Sequence, residues 1–198
     1  MNSHAAAPVS PWVARCAPLA LPGEVLDLAC GSGRHARHFA ALGHPVLAVD
    51  RDPAALAGAA GQGIATLAFD LEDPALAWPF EAGRFAAIVV TNYLHRPLFA
   101  QLAASLRDDG LLIYETFALG NEAFGKPSNP AFLLEHGELL AMANAHGLKP
   151  IAYEDGYVER PKPAMVQRLC AAKPGFAWTR ARLDGGHGAD LNGKSRQE

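Results

Sequence analysis

The sequence predicts an α/β fold built on a doubly wound, mostly parallel sheet, and three observations predict it. Short apolar runs of about six residues, bounded by glycine and polar residues, recur along residues 24–116. Stretches with apolar residues at helical spacing alternate with those runs, the pattern of βαβ units joined by right-handed crossovers. A glycine-rich turn, Cys30-Gly31-Ser32-Gly33, closes the first run and opens the first amphipathic segment.

Each element has a local cause. Ser10 before Pro11 reads as an N-cap with proline in the first helical turn, leading into Trp12, Val13 and Cys16. Pro18 and Pro22 end that helix. Residues 24–29 are apolar enough for a strand buried on both faces. After the glycine turn, Ala36, Phe39 and Ala40 share one helical side and Gly43 stops it. Residues 45–50 form a second strand, and Asp52-Pro53 opens an alanine-rich helix that gives out by Gly61-Gln62-Gly63. Residues 64–69 form a third strand that ends at Asp70-Leu71-Glu72-Asp73-Pro74. A loop with Trp78-Pro79-Phe80 leads to the fourth strand, residues 85–91. The helix after His95 presents Leu98, Phe99, Leu102 and Leu106, and Asp109-Gly110 turns the chain into a fifth strand, residues 111–116. Glycine, asparagine and proline dominate residues 117–130, a segment of lid length. Residues 135–145 read as a helix closed by Gly147, and residues 150–158 and 165–172 as a terminal antiparallel pair. A single domain over residues 10–174 is therefore expected, with a flexible leader at 1–9 and a flexible tail at 175–198.

Composition narrows the function. The 198 residues are 50% hydrophobic and 19% charged, ordinary for a globular domain. A formal net charge of −3 argues against a general nucleic-acid surface, and the basic bias of residues 160–182 reads as a solvated rim. No apolar run reaches the roughly 20 residues of a membrane span, and the N-terminus lacks a signal-peptide pattern, so the cytoplasm is the expected compartment. Cys16, Cys30 and Cys170 show neither paired nor zinc-type spacing, and His35 with His38 lacks a further ligand, so no metal is expected.

The chemistry-bearing positions fall at strand ends. The glycine turn lets backbone approach a ligand and offers unpaired helix-start N–H groups, although Gly31-Ser32-Gly33-Arg34-His35-Ala36 also fits a dinucleotide fingerprint. Asp50 ends the second strand, where a carboxylate can accept both hydroxyls of a ribose; Asp52 already fills the helix-capping post. At the third strand's end, Asp70 can bond an adenine amino group while Leu71 packs on the ring. Asn92-Tyr93-Leu94-His95 emerges at the fourth strand's end, beside the crevice that doubly wound sheets use for ligands.

Taken in order, the runs VLDLACGSG, VLAVD, AFDLED, FAAIVVTNYLH and LRDDGLLIYET resemble the class I S-adenosylmethionine (SAM)-dependent methyltransferases over residues 24–116. The run CGSGRHA and the overall size are similar to small bacterial tellurite-resistance-type methyltransferases. The resemblance implies a seven-stranded Rossmann-like methyltransferase sheet of order 3-2-1-4-5-7-6 with strand seven antiparallel. It also implies that Asp27, Ala29, Cys30, Gly31 and Gly33 hold the methionine portion of SAM, with Arg34 reaching its carboxylate. Asp50 and the adjacent Arg51 would serve the ribose side, Asp70 and Leu71 the adenine, and the Asn92 carbonyl the amino group. Ala29 departs from the glycine many members carry.

Tyr93 and His95 are the candidate catalytic groups. A soft acceptor such as a thiolate needs no base, whereas a hydroxyl or amine acceptor would use His95. Glu115, Phe117 and Phe124, with Phe132, are expected to frame the acceptor pocket, and Trp12 is either a lid or core. The expected activity is SAM-dependent methyl transfer to a small-molecule acceptor by in-line displacement. An NAD-type oxidoreductase and a non-catalytic SAM-binding module stand as alternatives.

Overall fold

A computed structural model describes residues 8–182. Among them, seven strands form one sheet: β1 (Val25–Leu28), β2 (Val46–Asp50), β3 (Ile64–Ala68), β4 (Phe85–Thr91), β5 (Leu106–Phe117), β6 (Lys149–Val158) and β7 (Ala164–Ala172). Their order is β3-β2-β1-β4-β5-β7-β6, with β7 antiparallel to both neighbours and every other pairing parallel. This is the topology implied by the resemblance. It follows from sequence pattern: alternate residues of a strand face opposite sides, so a strand buried on both faces must be apolar throughout. All seven residues of β4 are buried.

Two half-cores result. Helices α1 (Pro11–Cys16), α2 (Arg34–Ala41) and α3 (Pro53–Ala59) pack on one face against Val25, Val46, Ala48, Val89 and Ile113. Helices α4 (Phe99–Ser105) and α5 (Glu138–Ala145) cover the other face against Leu26, Ile88, Leu112 and Leu169. Each fully buried aliphatic side chain contributes about 1.5–3 kcal/mol. Local chemistry sets the helix starts: the Ser10 hydroxyl accepts the Trp12 N–H at 3.1 Å, and Asp52 accepts that of Ala54 at 2.9 Å.

Several elements differ from the sequence expectation. Strand β5 begins at Leu106, which leaves the helix to pair with Phe85; the ladder then breaks, Asp109-Gly110 turns within a bulge, and regular pairing with β4 resumes at Leu111. The stretch is held from both sides: Arg107 bonds Asp109 and the Pro22 carbonyl, while the Lys173 and Gly175 N–H groups bond the Gly110 and Asp108 carbonyls. Helix α5 starts at Glu138 because Gly137 adopts a left-handed φ of 78°. Residues 117–130 are pinned rather than free. Asn121 is 2% exposed, donates to the Pro127 carbonyl at 2.9 Å and accepts the Met165 N–H at 3.2 Å. Trp12 is core, its ring N–H bonded to the Leu169 carbonyl at 3.4 Å. Past Gly175, where a flexible tail was expected, Phe176 is buried and Trp178–Arg180 forms a 3-10 turn. Residues 1–7 of the leader and 183–198 of the tail lie outside the described residues. Among the described residues no helix is long and apolar enough to cross a membrane.

Candidate active site

The chain runs outward from β1 through β2 to β3, then returns to start β4 on the other side of β1, so strand order reverses between β1 and β4. Ligand crevices open beyond the carboxyl ends of strands at such a point. A cavity of about 180 Å³ lies there, lined by Ala29, Asp50, Arg51, Phe69, Asp70, Leu71, Glu72 and Tyr93. Six of these were singled out from the sequence. Phe69 and Glu72 were not, although both sit in the run Phe69-Asp70-Leu71-Glu72 that already carried the signal.

The turn after β1 is left-handed at Ala29, Gly31 and Gly33 (φ 52°, 53° and 75°). The two glycines do different work. A Cβ on Gly33 would meet Ala59 Cβ at 2.5 Å, so this glycine lets α2 pack against α3. A Cβ on Gly31 would meet nothing within 4 Å, so the space above this turn is open to a ligand. Ala29 pays about 1–2 kcal/mol for a conformation that L-residues avoid.

Asp50 ties the turn to β2, accepting the Gly31 N–H at 2.8 Å and the Asp52 N–H at 3.0 Å. A carboxylate has about four acceptor positions, so it retains capacity toward the cavity. Asp70 accepts the Glu72 N–H at 3.0 Å and likewise keeps one oxygen in hand. Asp27 is 1% exposed and accepts the Ala36 N–H at 2.8 Å. Burial pushes its carboxyl up to about 7, against the pull of that N–H and of Arg34. Burial, with the Asp27 and Asp50 charges, pushes the Cys30 thiol up to about 12, so it stays protonated and is no nucleophile.

The Tyr93 hydroxyl is buried and faces the Glu72 carboxylate, with no partner at full hydrogen-bond distance. Burial, then the charge and hydrogen-bonding pull of Glu72 and the charge of Asp70, pushes its pKa up, so it remains an O–H donor at neutral pH. Asn92, exposed and left-handed at φ 55°, makes the bend that turns Tyr93 into the cavity, and its N–H bonds the Glu115 carbonyl at 2.9 Å.

The other expected residues lie outside this cavity. Arg34 points its guanidinium at the Pro8 carbonyl, 3.4 Å away. His95 is half-buried and precedes the 3-10 turn Arg96–Leu98. Both Glu115 oxygens are engaged, one by the Ser10 hydroxyl at 2.9 Å and one by Arg168 at 2.6 Å. Phe117 is half-buried at the end of β5. Phe124, 46% exposed, packs on Tyr157 with ring centroids 5.2 Å apart, at the β6 edge of the sheet. Phe132 is exposed. Sequence reasoning missed Ser10, Thr91 and Arg168, which bond His35 or Glu115; no local motif marks such partners.

Two acids with spare acceptor capacity, an apolar seat at Phe69 and Leu71, a buried donor and a bare glycine turn fit an adenosine carrying an amino-acid end. Among the described residues no cluster could hold a metal ion.

The chain matches the methyltransferase domain family over residues 1–158. Its fold is shared with solved structures. TehB from Haemophilus influenzae is 18% identical with a TM-score of 0.68, over 83% of this chain and 62% of that one. This chain thus spans less than two thirds of that protein. The 1,6-didemethyltoxoflavin-N1-methyltransferase of Burkholderia thailandensis, solved with 1,6-didemethyltoxoflavin and S-adenosylhomocysteine, is 26% identical (TM-score 0.60, 82% and 76% covered). A TehB-like SAM-dependent methyltransferase from Corynebacterium glutamicum is 21% identical (TM-score 0.59, 82% and 87% covered). No curated protein sequence matches. Sheet order, cavity and family match agree: the chain belongs to the methyltransferase domain family and has the class I fold.

Proposed function

We propose that this protein transfers the methyl group of SAM to a small-molecule acceptor in the cytoplasm. The observation that carries the reading is the cavity at the β1/β4 reversal, which gathers Asp50, Asp70, Leu71 and the Tyr93 hydroxyl. Asp50 would accept the ribose hydroxyls, with Arg51 at the rim, while Asp70 and Leu71 hold the adenine. Tyr93 donates its O–H to the bound nucleoside, which moves it from the acceptor side to the cofactor side. Asp27 and the turn Ala29, Cys30, Gly31 and Gly33 receive the amino-acid end, with Arg34 and the Asn92 carbonyl at its charged groups.

The cofactor supplies a methyl already activated on a cationic sulfonium, so the protein's task is alignment and exclusion of water. His95, free of side-chain hydrogen bonds among the described residues, takes the proton of a hydroxyl or amine acceptor; a thiolate or chalcogen anion needs no base. Glu115, held by Ser10 and Arg168, would brace the acceptor side with Phe117 at its rim, while Phe124 is set back on Tyr157 at the β6 edge. The small-molecule assignment is supported by the net charge of −3 and by the Burkholderia neighbour, a 1,6-didemethyltoxoflavin-N1-methyltransferase solved with 1,6-didemethyltoxoflavin bound.

Calorimetry with S-adenosylhomocysteine and with NAD tests the cofactor, the first expected to bind and the second not. Incubation with methyl-labelled SAM and small thiols, selenite, tellurite, quinols or a cell extract tests the transfer. Binding of NAD alone would make the chain an oxidoreductase. Label that stays on SAM with every acceptor would make it a binding module.

A further inference from the structure

Four groups that come from four different elements form one hydrogen-bonded chain beneath the acceptor side. Ser10, His35, Thr91 and Glu115 are each at most 9% exposed. The Ser10 N–H donates to His35 Nε2 at 3.3 Å, and the Ser10 hydroxyl donates to Glu115 Oε1 at 2.9 Å. Because Nε2 accepts, the ring proton sits on Nδ1 and points at the Thr91 hydroxyl, 3.3 Å away. Thr91 and Glu115 are direct register partners at the carboxyl ends of β4 and β5. His35 is the second residue of α2, one turn of chain from Gly31 and Gly33. Beside it, Arg34 bonds the carbonyl of Pro8.

The N-terminal segment therefore lies across the top of the sheet. Ser10 fastens it to both sides at once, its N–H to His35 at the start of α2, where the cofactor turn ends, and its hydroxyl to Glu115 on the acceptor side. Its fastening carries no charge at His35: burial, with Arg34 and His38 nearby, pushes the imidazole down to about 3, so Nε2 stays an acceptor through the physiological range.

We propose that His35 is a positioning residue that couples loading of the cofactor turn to the seating of residues 8–16 against the acceptor side. The proposal rests on the methyltransferase reading of the β1/β4 cavity. Its physical basis is shared ordering: a ligand that stiffens the start of α2 stiffens whatever that start holds, and the link is reciprocal. Nothing in the seven-residue run Cys30 to Ala36 needs a histidine for packing alone, since an apolar residue of similar size would fill the buried site. What leucine cannot do is accept from Ser10 and donate to Thr91.

The test uses the full chain with S-adenosylhomocysteine as the probe, in the wild type and in His35→Leu, His35→Gln and Thr91→Val. Hydrogen exchange at residues 8–16 and 29–36 and calorimetric affinity are the readouts. In the wild type the probe is expected to slow exchange in both segments. His35→Leu should lose the slowing at residues 8–16 and weaken the probe by about three- to tenfold, the loss of one or two buried hydrogen bonds. His35→Gln, which keeps one acceptor and one donor, should restore part of both; a purely structural role would show no such rescue. If His35→Leu does not fold, Thr91→Val, which removes the Nδ1 partner at nearly constant shape, carries the same expectation. Protection confined to residues 29–36 in the wild type, or unaltered affinity in His35→Leu, would overturn the coupling while leaving the cofactor site standing. A folded wild type that does not bind the probe would overturn the methyltransferase reading beneath it.

Discussion

The two ends of the sheet's carboxyl edge are built in opposite ways. The β1–β4 end holds strain and unmet polarity: Ala29 and Asn92 are left-handed, the Tyr93 hydroxyl has no partner at full hydrogen-bond distance, and the Asp27 carboxyl is buried deep enough to resist ionisation. The β5–β7 end is satisfied. Arg168 bridges Glu115 and Glu154, Arg15 adds to Glu154, and Arg96 forks onto Glu138 at 2.6 and 2.9 Å. Strain persists only where surrounding structure over-determines it, and it gathers where a ligand will be met. Here the braced end supplies the rigidity that the strained end consumes.

The sharpest way to break this contrast is to cut the brace. Arg168→Met leaves Glu115 buried with one charge partner missing, and unpairing a buried ion pair typically costs about 3–5 kcal/mol. Urea unfolding should show that loss. The double replacement Glu115→Leu with Arg168→Met should recover most of it, because the desolvation penalty goes with the pair. A single variant as stable as the wild type would show that this end is not the brace.

The second test addresses stored cost at the other end. The Asp27 carboxyl is raised from 3.8 to about 7, so the fold favours its protonated form. Its contribution to stability is therefore fully present below pH 3.8 and is lost as pH rises through about 7. Asp27→Asn keeps an acceptor for the Ala36 N–H and removes the ionisation. It should match the wild type near pH 4 and exceed it by about 2–4 kcal/mol at pH 8, while binding the cofactor's cationic end less well. Parallel stability curves across that range would mean that Asp27 ionises at no cost.

Much of the strained end was legible in the sequence, and little of the braced end was. Asp50, Asp70 and the glycine turn are readable because each follows directly from chain order: an acid or glycine at the end of an apolar run in a parallel sheet must face the crevice. The Ser10–Glu115 bond joins residues 105 apart and the Arg168–Glu115 pair spans 53, and nothing local in either stretch names its partner. The start of β5 shows both sides of this: Asp109-Gly110 turns as its chemistry predicts and regular pairing resumes at Leu111. The pairing of Leu106 with Phe85, and the bonds from Lys173 and Gly175 that hold the bulge between them, come from distant parts of the chain and were hidden. Even at the legible end, the bond from Gly31 to Asp50 was hidden, so Asp50 has a structural duty beside its expected ribose contact.

That double duty shapes the third prediction. Asp50→Ala should weaken S-adenosylhomocysteine binding by about 1–3 kcal/mol, since charge-assisted hydrogen bonds go unmade. Asp50→Asn retains an oxygen for the Gly31 N–H and separates the two duties. If calorimetry finds the Asn variant as weak as the Ala variant, the ribose contact dominates. If the Asn variant binds like the wild type, Asp50 serves the turn alone and the nucleoside lies elsewhere.

The smallest effect tests the strain itself, at the two non-glycine residues held left-handed among the described residues. Ala29 has no side chain that helps it there, whereas asparagine tolerates this region through local hydrogen bonding. Ala29→Gly removes the steric conflict but adds unfolded-state freedom worth roughly 0.5–1 kcal/mol, so the net gain should be at most about 1 kcal/mol. Asn92→Gly relieves less conflict at the same entropic cost and should be neutral or slightly destabilising. Thermal unfolding of both variants decides the order. An Asn92→Gly gain larger than that of Ala29→Gly would mean that the bend after β4, and not the turn after β1, holds the greater strain, and would centre the nucleoside's seat on Tyr93.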